Sequence, residues 1–136
     1  MKVAFLGLGV MGAPLAGHLA RAGFDVTAYN RTAEKAEIWL DEHGRAHGAR
    51  VAASPAEAVE GAEEAGAAGK GFVDAPVSGG QAGAEKGKLS VMCGGEAAHV
   101  ERARPAMESY AARIVHIGPS GHGQLCKAVN QICIAG

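Results

Sequence analysis

Residues 1–60 alternate between two hydrophobic periods, and that alternation restricts the fold more than any other feature. Three short runs, KVAFL (Lys2–Leu6), FDVTAYN (Phe24–Asn30) and ARVAAS (Ala49–Ser54), are apolar and partly β-branched, as buried strands are. Between them the apolar residues recur at helical spacing. Ala13, Ala16, Leu19 and Ala20 mark a helix over 9–22, with Pro14 in its first turn and Gly23 at its end. Thr32 stands where it can cap a second helix that carries Ala36, Trp39, Leu40 and His43 on one side and stops at Gly44. Ser54-Pro55-Ala56-Glu57 is a capping box with proline at the first helical position. Strands and helices in strict alternation predict a mostly parallel, doubly wound α/β sheet of the Rossmann type.

After Ala62 the alternation breaks. A further buried strand is expected, but EEAGAAGKG stands there, small and glycine-rich with no apolar period. FVDAPVSGG (Phe72–Gly80) then reads as strand and loop, and KLSVMCGG (Lys88–Gly95) as a strand. Val100, Ala103, Met107 and Tyr110 mark a helix containing Pro105; RIVHIG (Arg113–Gly118) is a strand; 124–135 is a helix.

The loop after the first strand is Gly7-Leu8-Gly9-Val10-Met11-Gly12, a GxGxxG that follows a strand and opens a helix, the context a dinucleotide loop requires. Gly7 permits the tight turn, Gly9 lets a pyrophosphate approach the backbone, and Gly12 lets helix and strand pack closely, while the helix N-terminus offers free N–H groups to the anion. An ordinary glycine-rich turn is the plain alternative. The second strand ends in Asn30-Arg31-Thr32, with Lys35 one turn on, where an NAD site would carry an acid. A carboxylate there would repel a 2′-phosphate; an arginine fork and a lysine would neutralise one. These residues predict NADP as cofactor, with NAD as the alternative.

The last helix carries Lys127, Asn130 and Gln131 at i, i+3 and i+4, so an amine and two amides share one face, with Gln124 a turn earlier. A lysine there could serve as general acid/base, because its pKa falls readily on burial. By itself the segment reads more readily as a solvated stripe opposite Leu125, Val129 and Ile132.

Other classes of function find no support. Formal net charge is −1 with no basic stripe, and aromatic residues are 4% of the chain, against nucleic-acid recognition. No apolar run is long enough to cross a bilayer. MKVAFLGLGVMGAPLA imitates a secretory signal, but glycines interrupt its apolar stretch and an amphipathic helix continues from it. Cys93, Cys126 and Cys133 form no CxxC and read as buried thiols in a reducing, cytoplasmic setting. Asp41, Glu42, His43 and His47 lack zinc-ligand spacing, so no metal site is expected.

Taken in order, FLGLGVMGAPLAGHL, DAPVSGG and GHGQLCKAVNQ resemble the β-hydroxyacid dehydrogenase family, whose members include 3-hydroxyisobutyrate dehydrogenase and tartronate semialdehyde reductase. The resemblance spans 1–62 and about 70–136. It implies that Gly7, Leu8, Gly9, Val10, Met11 and Gly12 hold the cofactor pyrophosphate and that Asn30, Arg31 and Thr32 form the NADP-type strand ending. It further implies that Ser78, Gly79 and Gly80 bind the substrate's carboxylate and hydroxyl. Lys127 would pass the proton to or from the substrate oxygen, with Asn130 or Gln131 holding the substrate. A small hydroxy acid or semialdehyde is the implied partner, in a homodimer or homotetramer built through an all-helical domain. Two departures follow: family members carry more sheet where this chain has 63–70, and a helical domain beyond the last helix. On that basis 1–121 is expected to be a dinucleotide-binding domain, abridged near 63–70, and 122–136 the start of an interdomain helix.

Overall fold

The computed structural model describes residues 1–60 and 71–135, and each of these two stretches forms a compact unit by itself. In the first unit β1 (Lys2–Leu6), β2 (Asp25–Tyr29) and β3 (Arg50–Val51) form a parallel sheet with β2 central. Lys2 pairs with Asp25 and Leu6 with Tyr29, so both strands end at the same level, where the glycine loop and Asn30 emerge. α1 (Gly12–Arg21) connects β1 to β2; α2 (Ala33–Trp39) and a π-type turn over 40–44 lead towards β3; α3 (Pro55–Glu60) follows. Ala16, Leu19 and Ala20 of α1, Val26 and Ala28 of β2, and Ala36, Trp39 and Leu40 are buried, as the helical and strand periods require. The Trp39 indole N–H donates to the Ala13 carbonyl at 3.0 Å, joining α2 to the first turn of α1. At α3 the Ser54 hydroxyl accepts from the Glu57 N–H at 3.1 Å. The Glu57 carboxylate reaches back to the Ala53 N–H at 2.8 Å, one residue before the expected cap.

The second unit is built on β6 (Leu89–Gly95). β7 (Ala111–Gly118) lies parallel to it on one side; β4 (Val73–Asp74) and β5 (Val77–Ser78) lie antiparallel on the other, bridged by the Met92 N–H donating to the Pro76 carbonyl at 3.0 Å. The antiparallel edge refines the expected mostly parallel sheet, and connection length explains it. The stretch 79–88, holding only the short α4 (Gly80–Glu85), is below the dozen or so residues a parallel crossover needs, whereas α5 (Ala97–Glu108) gives β7 that length. Val91, Cys93, Val100 and Met107 form the core, with Ala103 and Tyr110 packed against it. α5 runs through Pro105, which lies exposed near its C-terminal end.

α6 (His122–Ala135) packs on β6 and β7 with Gly123, Cys126, Lys127 and Asn130 turned inward, while Leu125, Val129 and Ile132 are exposed. The less exposed side of this helix is therefore the one that carries Gly123, Cys126, Lys127 and Asn130, not the apolar one. Of the three thiols only Cys93 is buried; Cys126 is half-buried and Cys133 exposed, because α6 presents just one side to the sheet. The abridged stretch at 63–70 lies outside the described residues.

Candidate functional site

In the first unit the glycine loop is held from behind. The Gly7 N–H donates to the Tyr29 carbonyl at 2.8 Å, extending the β1–β2 ladder into the loop. The Asn30 side chain accepts from the Leu8 N–H at 3.0 Å and donates to the Thr32 carbonyl at 3.0 Å. Gly7 has φ +101, which an L side chain rarely adopts. A Cβ on Gly12 would run into the Gly7 carbonyl oxygen and, at 3.3 Å, the Phe5 ring; around Gly9 the space is open. So Gly12 is required by helix–strand packing, whereas at Gly9 no packing contact accounts for the missing side chain.

The start of α1 has no capping side chain, since Met11 is its N-cap, and no acid in its first turn. The uncapped N–H groups and positive dipole end suit an external anion. Arg31 and Lys35 are exposed at the end of β2 and the start of α2, and among the described residues neither is drawn into an ion pair. The open cradle at Gly9, the bare helix start and two unspent cations fit a dinucleotide with a further phosphate.

In the second unit Ser78 ends β5 half-buried, paired with Ser90, and Gly79 and Gly80 turn the chain with φ +130 and +61. A Cβ on Gly79 would stand 3.0 Å from Leu89 Cδ2, so the loop rests on a buried leucine. Lys127 and Asn130 are half-buried on the inner side of α6; Gln124 and Gln131 are exposed.

The sequence reading missed Asp74. It is the one buried charged residue among the described residues. Its Oδ1 accepts from the Gly121 N–H at 2.6 Å and its Oδ2 from the Gln124 N–H at 2.9 Å, so it caps α6 from another strand. These backbone donors, Gly121 foremost, hold its carboxyl below the ordinary carboxylate value against the opposing effect of burial. The available signal was an aspartate inside an otherwise apolar strand, DAPVSGG. Elsewhere, burial pushes the Cys93 thiol up, and its Sγ lies 3.5 Å from Met107 Sδ, as befits a packing residue. Among the described residues no three His, Cys, Asp or Glu side chains group as a metal site, and Asp41 is paired with Arg45 at 2.7 Å.

A family model described as the NAD binding domain of 6-phosphogluconate dehydrogenase matches residues 2–65 and 52–118. The chain belongs to this family. An oxidoreductase of Shewanella frigidimarina is 41% identical over 99% of the chain and 62% of its own length. The 2-hydroxy-3-oxopropionate reductase of Escherichia coli is 32% identical over 99% of the chain and 61% of its own. Among solved structures, Mycobacterium tuberculosis 3-hydroxyisobutyrate dehydrogenase with L-serine superposes with TM-score 0.84 at 30% identity, covering 98% of the chain and 60% of that protein. The chain thus spans about three fifths of these relatives. Its alignment to the Shewanella protein runs over 183 positions against 136 residues here, so a stretch of the relative has no counterpart in this NAD-binding chain.

Proposed function

We propose that the chain is the cofactor-binding part of a β-hydroxyacid dehydrogenase or reductase. The reaction interconverts a small β-hydroxy acid, of the 3-hydroxyisobutyrate or tartronate semialdehyde type, and its carbonyl form, with NADP preferred. The observation that carries this reading is the placement of Lys127. It is half-buried, as is Asn130 one turn on, in the same unit as the Ser78–Gly80 loop, which supports a role for it there.

The nicotinamide, when bound, supplies or takes the hydride at the hydroxyl-bearing carbon. The loop over 7–12 and the start of α1 hold the pyrophosphate, and Arg31, Thr32 and Lys35 receive the 2′-phosphate. Ser78 and the Gly79 and Gly80 backbone bind the substrate carboxylate and hydroxyl. Lys127 gives its proton to the carbonyl oxygen in reduction and takes the hydroxyl proton in oxidation. Asn130 or Gln131 orients the substrate. With α6 leading into a helical domain, the whole enzyme would assemble as a homodimer or homotetramer in the cytoplasm, a setting consistent with three free thiols.

A second reading, a module that binds cofactor without turnover, is favoured by the relatives' positions that lack a counterpart here. One experiment separates the two. NADPH and NADH are titrated against the whole protein, helical domain included, and turnover is assayed with 3-hydroxyisobutyrate, tartronate semialdehyde, serine and succinic semialdehyde. Turnover that disappears in Lys127→Met while cofactor affinity stays supports the enzyme; affinity without turnover in the whole unsubstituted protein supports the module. A Lys127→Met protein with near-normal rate removes Lys127 from the chemistry.

A further inference from the structure

We propose that Asp74 is the positioning residue that sets Lys127 against the Ser78–Gly80 loop. The inference rests on the role proposed above for Lys127.

A carboxylate that is 7% exposed is costly unless it is fully bonded, and Asp74 spends both oxygens on a single target, the first turn of α6. It comes from β4, the strand that runs through Pro76 into Ser78, Gly79 and Gly80. Gln124, whose N–H it receives, precedes Lys127 by one helical turn. One side chain therefore ties the strand that delivers the hydroxyl loop to the helix that delivers the amine.

The packing around Asp74 has no slack. A Cβ on Gly94 would lie 2.5 Å from Asp74 Oδ1 and 2.8 Å from the Gly123 nitrogen; one on Gly123 would lie 2.7 Å from Asp74 Oδ2 and 2.9 Å from the Gly94 nitrogen. At Gly94 and Gly123 helix and strand touch backbone to backbone, with the Asp74 carboxylate against both. A slip of α6 by one residue would move Lys127 by about 1.5 Å along the axis and turn it by about 100°. That rotation would carry it away from the sheet. Displacements of about 1 Å at reacting groups cost on the order of 10²-fold in rate. The carboxylate also occupies the helix's own anion position, so the α6 N-terminus is satisfied internally and the substrate carboxylate is left to the loop.

Aspartate is required because two N–H donors need two acceptors. Asparagine offers one acceptor and would turn its N–H₂ onto the other donor. The test compares the whole protein with its Asp74→Asn variant and with the smaller, neutral Asp74→Ser. Three readouts are taken: hydrogen exchange by peptide, the acylation rate of Lys127 against the exposed Lys35, and kcat against the cofactor KM. Expected in both variants are at least tenfold faster exchange over 121–127 with 2–30 unchanged, and Lys127 acylated at a rate approaching that of Lys35. Turnover should fall 10- to 100-fold while the cofactor KM stays within about twofold. If Asp74→Asn unfolds the second unit, Asp74→Ser is read by the same criteria. Unchanged Lys127 acylation, or a loosened α6 with normal kcat, overturns the proposal and leaves Asp74 a structural cap. Absence of turnover in the whole unsubstituted protein would sink the enzyme reading instead, and exchange with acylation would still decide whether Asp74 positions the lysine.

Discussion

Asn30 and Leu8, twenty-two residues apart, are joined by a 3.0 Å hydrogen bond in which the Leu8 N–H donates to the Asn30 side-chain oxygen. The other end of the same amide donates to the Thr32 carbonyl at 3.0 Å. The position thus needs one acceptor and one donor, which only an amide supplies at this length. Asn30 thereby fastens the glycine loop to the segment that offers Arg31. An aspartate could still accept from Leu8, but its second oxygen would face the Thr32 carbonyl.

Asn30→Asp is therefore expected to loosen the loop rather than convert the site to NAD. NADPH affinity should fall at least tenfold with no matching gain for NADH, and Asn30→Ala should lose about 1 kcal/mol of stability. Titration with both cofactors can follow Trp39, the only tryptophan in the chain, whose indole is bonded to α1 beside the loop. A large gain in NADH affinity in Asn30→Asp would show that the amide acts on the ribose directly.

Two glycines of one motif should separate in their effects. In Gly12→Ala the new methyl meets the Gly7 carbonyl and the Phe5 ring, an overpacking that costs about 1–3 kcal/mol and lowers the thermal midpoint. In Gly9→Ala the methyl enters open space, so the midpoint should be unchanged while cofactor affinity drops. A Gly9→Ala protein that binds NADPH normally would remove the loop from the pyrophosphate site.

What the sequence discloses follows the range of the forces involved. The alternation over 2–60, the capping box at Ser54 and the GxGxxG turn are local patterns, and each reappears in the structure, the box with Glu57 reaching Ala53 instead of Ser54. Asp74 was opaque because its partners lie 47 and 50 residues away, and an aspartate in an apolar strand does not name them. α6 misleads for a related reason. Its strongest periodic signal, Leu125, Val129 and Ile132, faces outward because Gly94 and Gly123 bring the opposite side onto β6. Periodicity finds a helix; which face meets the sheet was decided by glycine contact.

Arg31→Ala tests the cofactor preference. A guanidinium–phosphate pair is charge-assisted, and removing it costs about 1.5–3 kcal/mol, or about 10- to 150-fold in NADPH affinity. NADH lacks the 2′-phosphate and should bind within about twofold of the parent chain. Because exposed charges are screened, the NADPH deficit should shrink at high salt. Equal losses for the two cofactors would show that Arg31 acts through the fold of the loop.

Asp74 also sets a direction for pH dependence. In the folded chain the Gly121 and Gln124 N–H groups hold its carboxyl below the ordinary value of 3.8, so the native state binds fewer protons than the unfolded chain in the interval between the two values. The stabilisation from this cap is fully present above about pH 4 and is lost as pH falls through the lowered native value. The difference in thermal midpoint between the parent chain and Asp74→Asn should thus be constant from about pH 5 to 8 and narrow steadily below about pH 4. Thermal melts of both proteins across that range make the comparison. If the parent–variant gap persisted undiminished at about pH 2, the carboxylate charge would not be what holds α6.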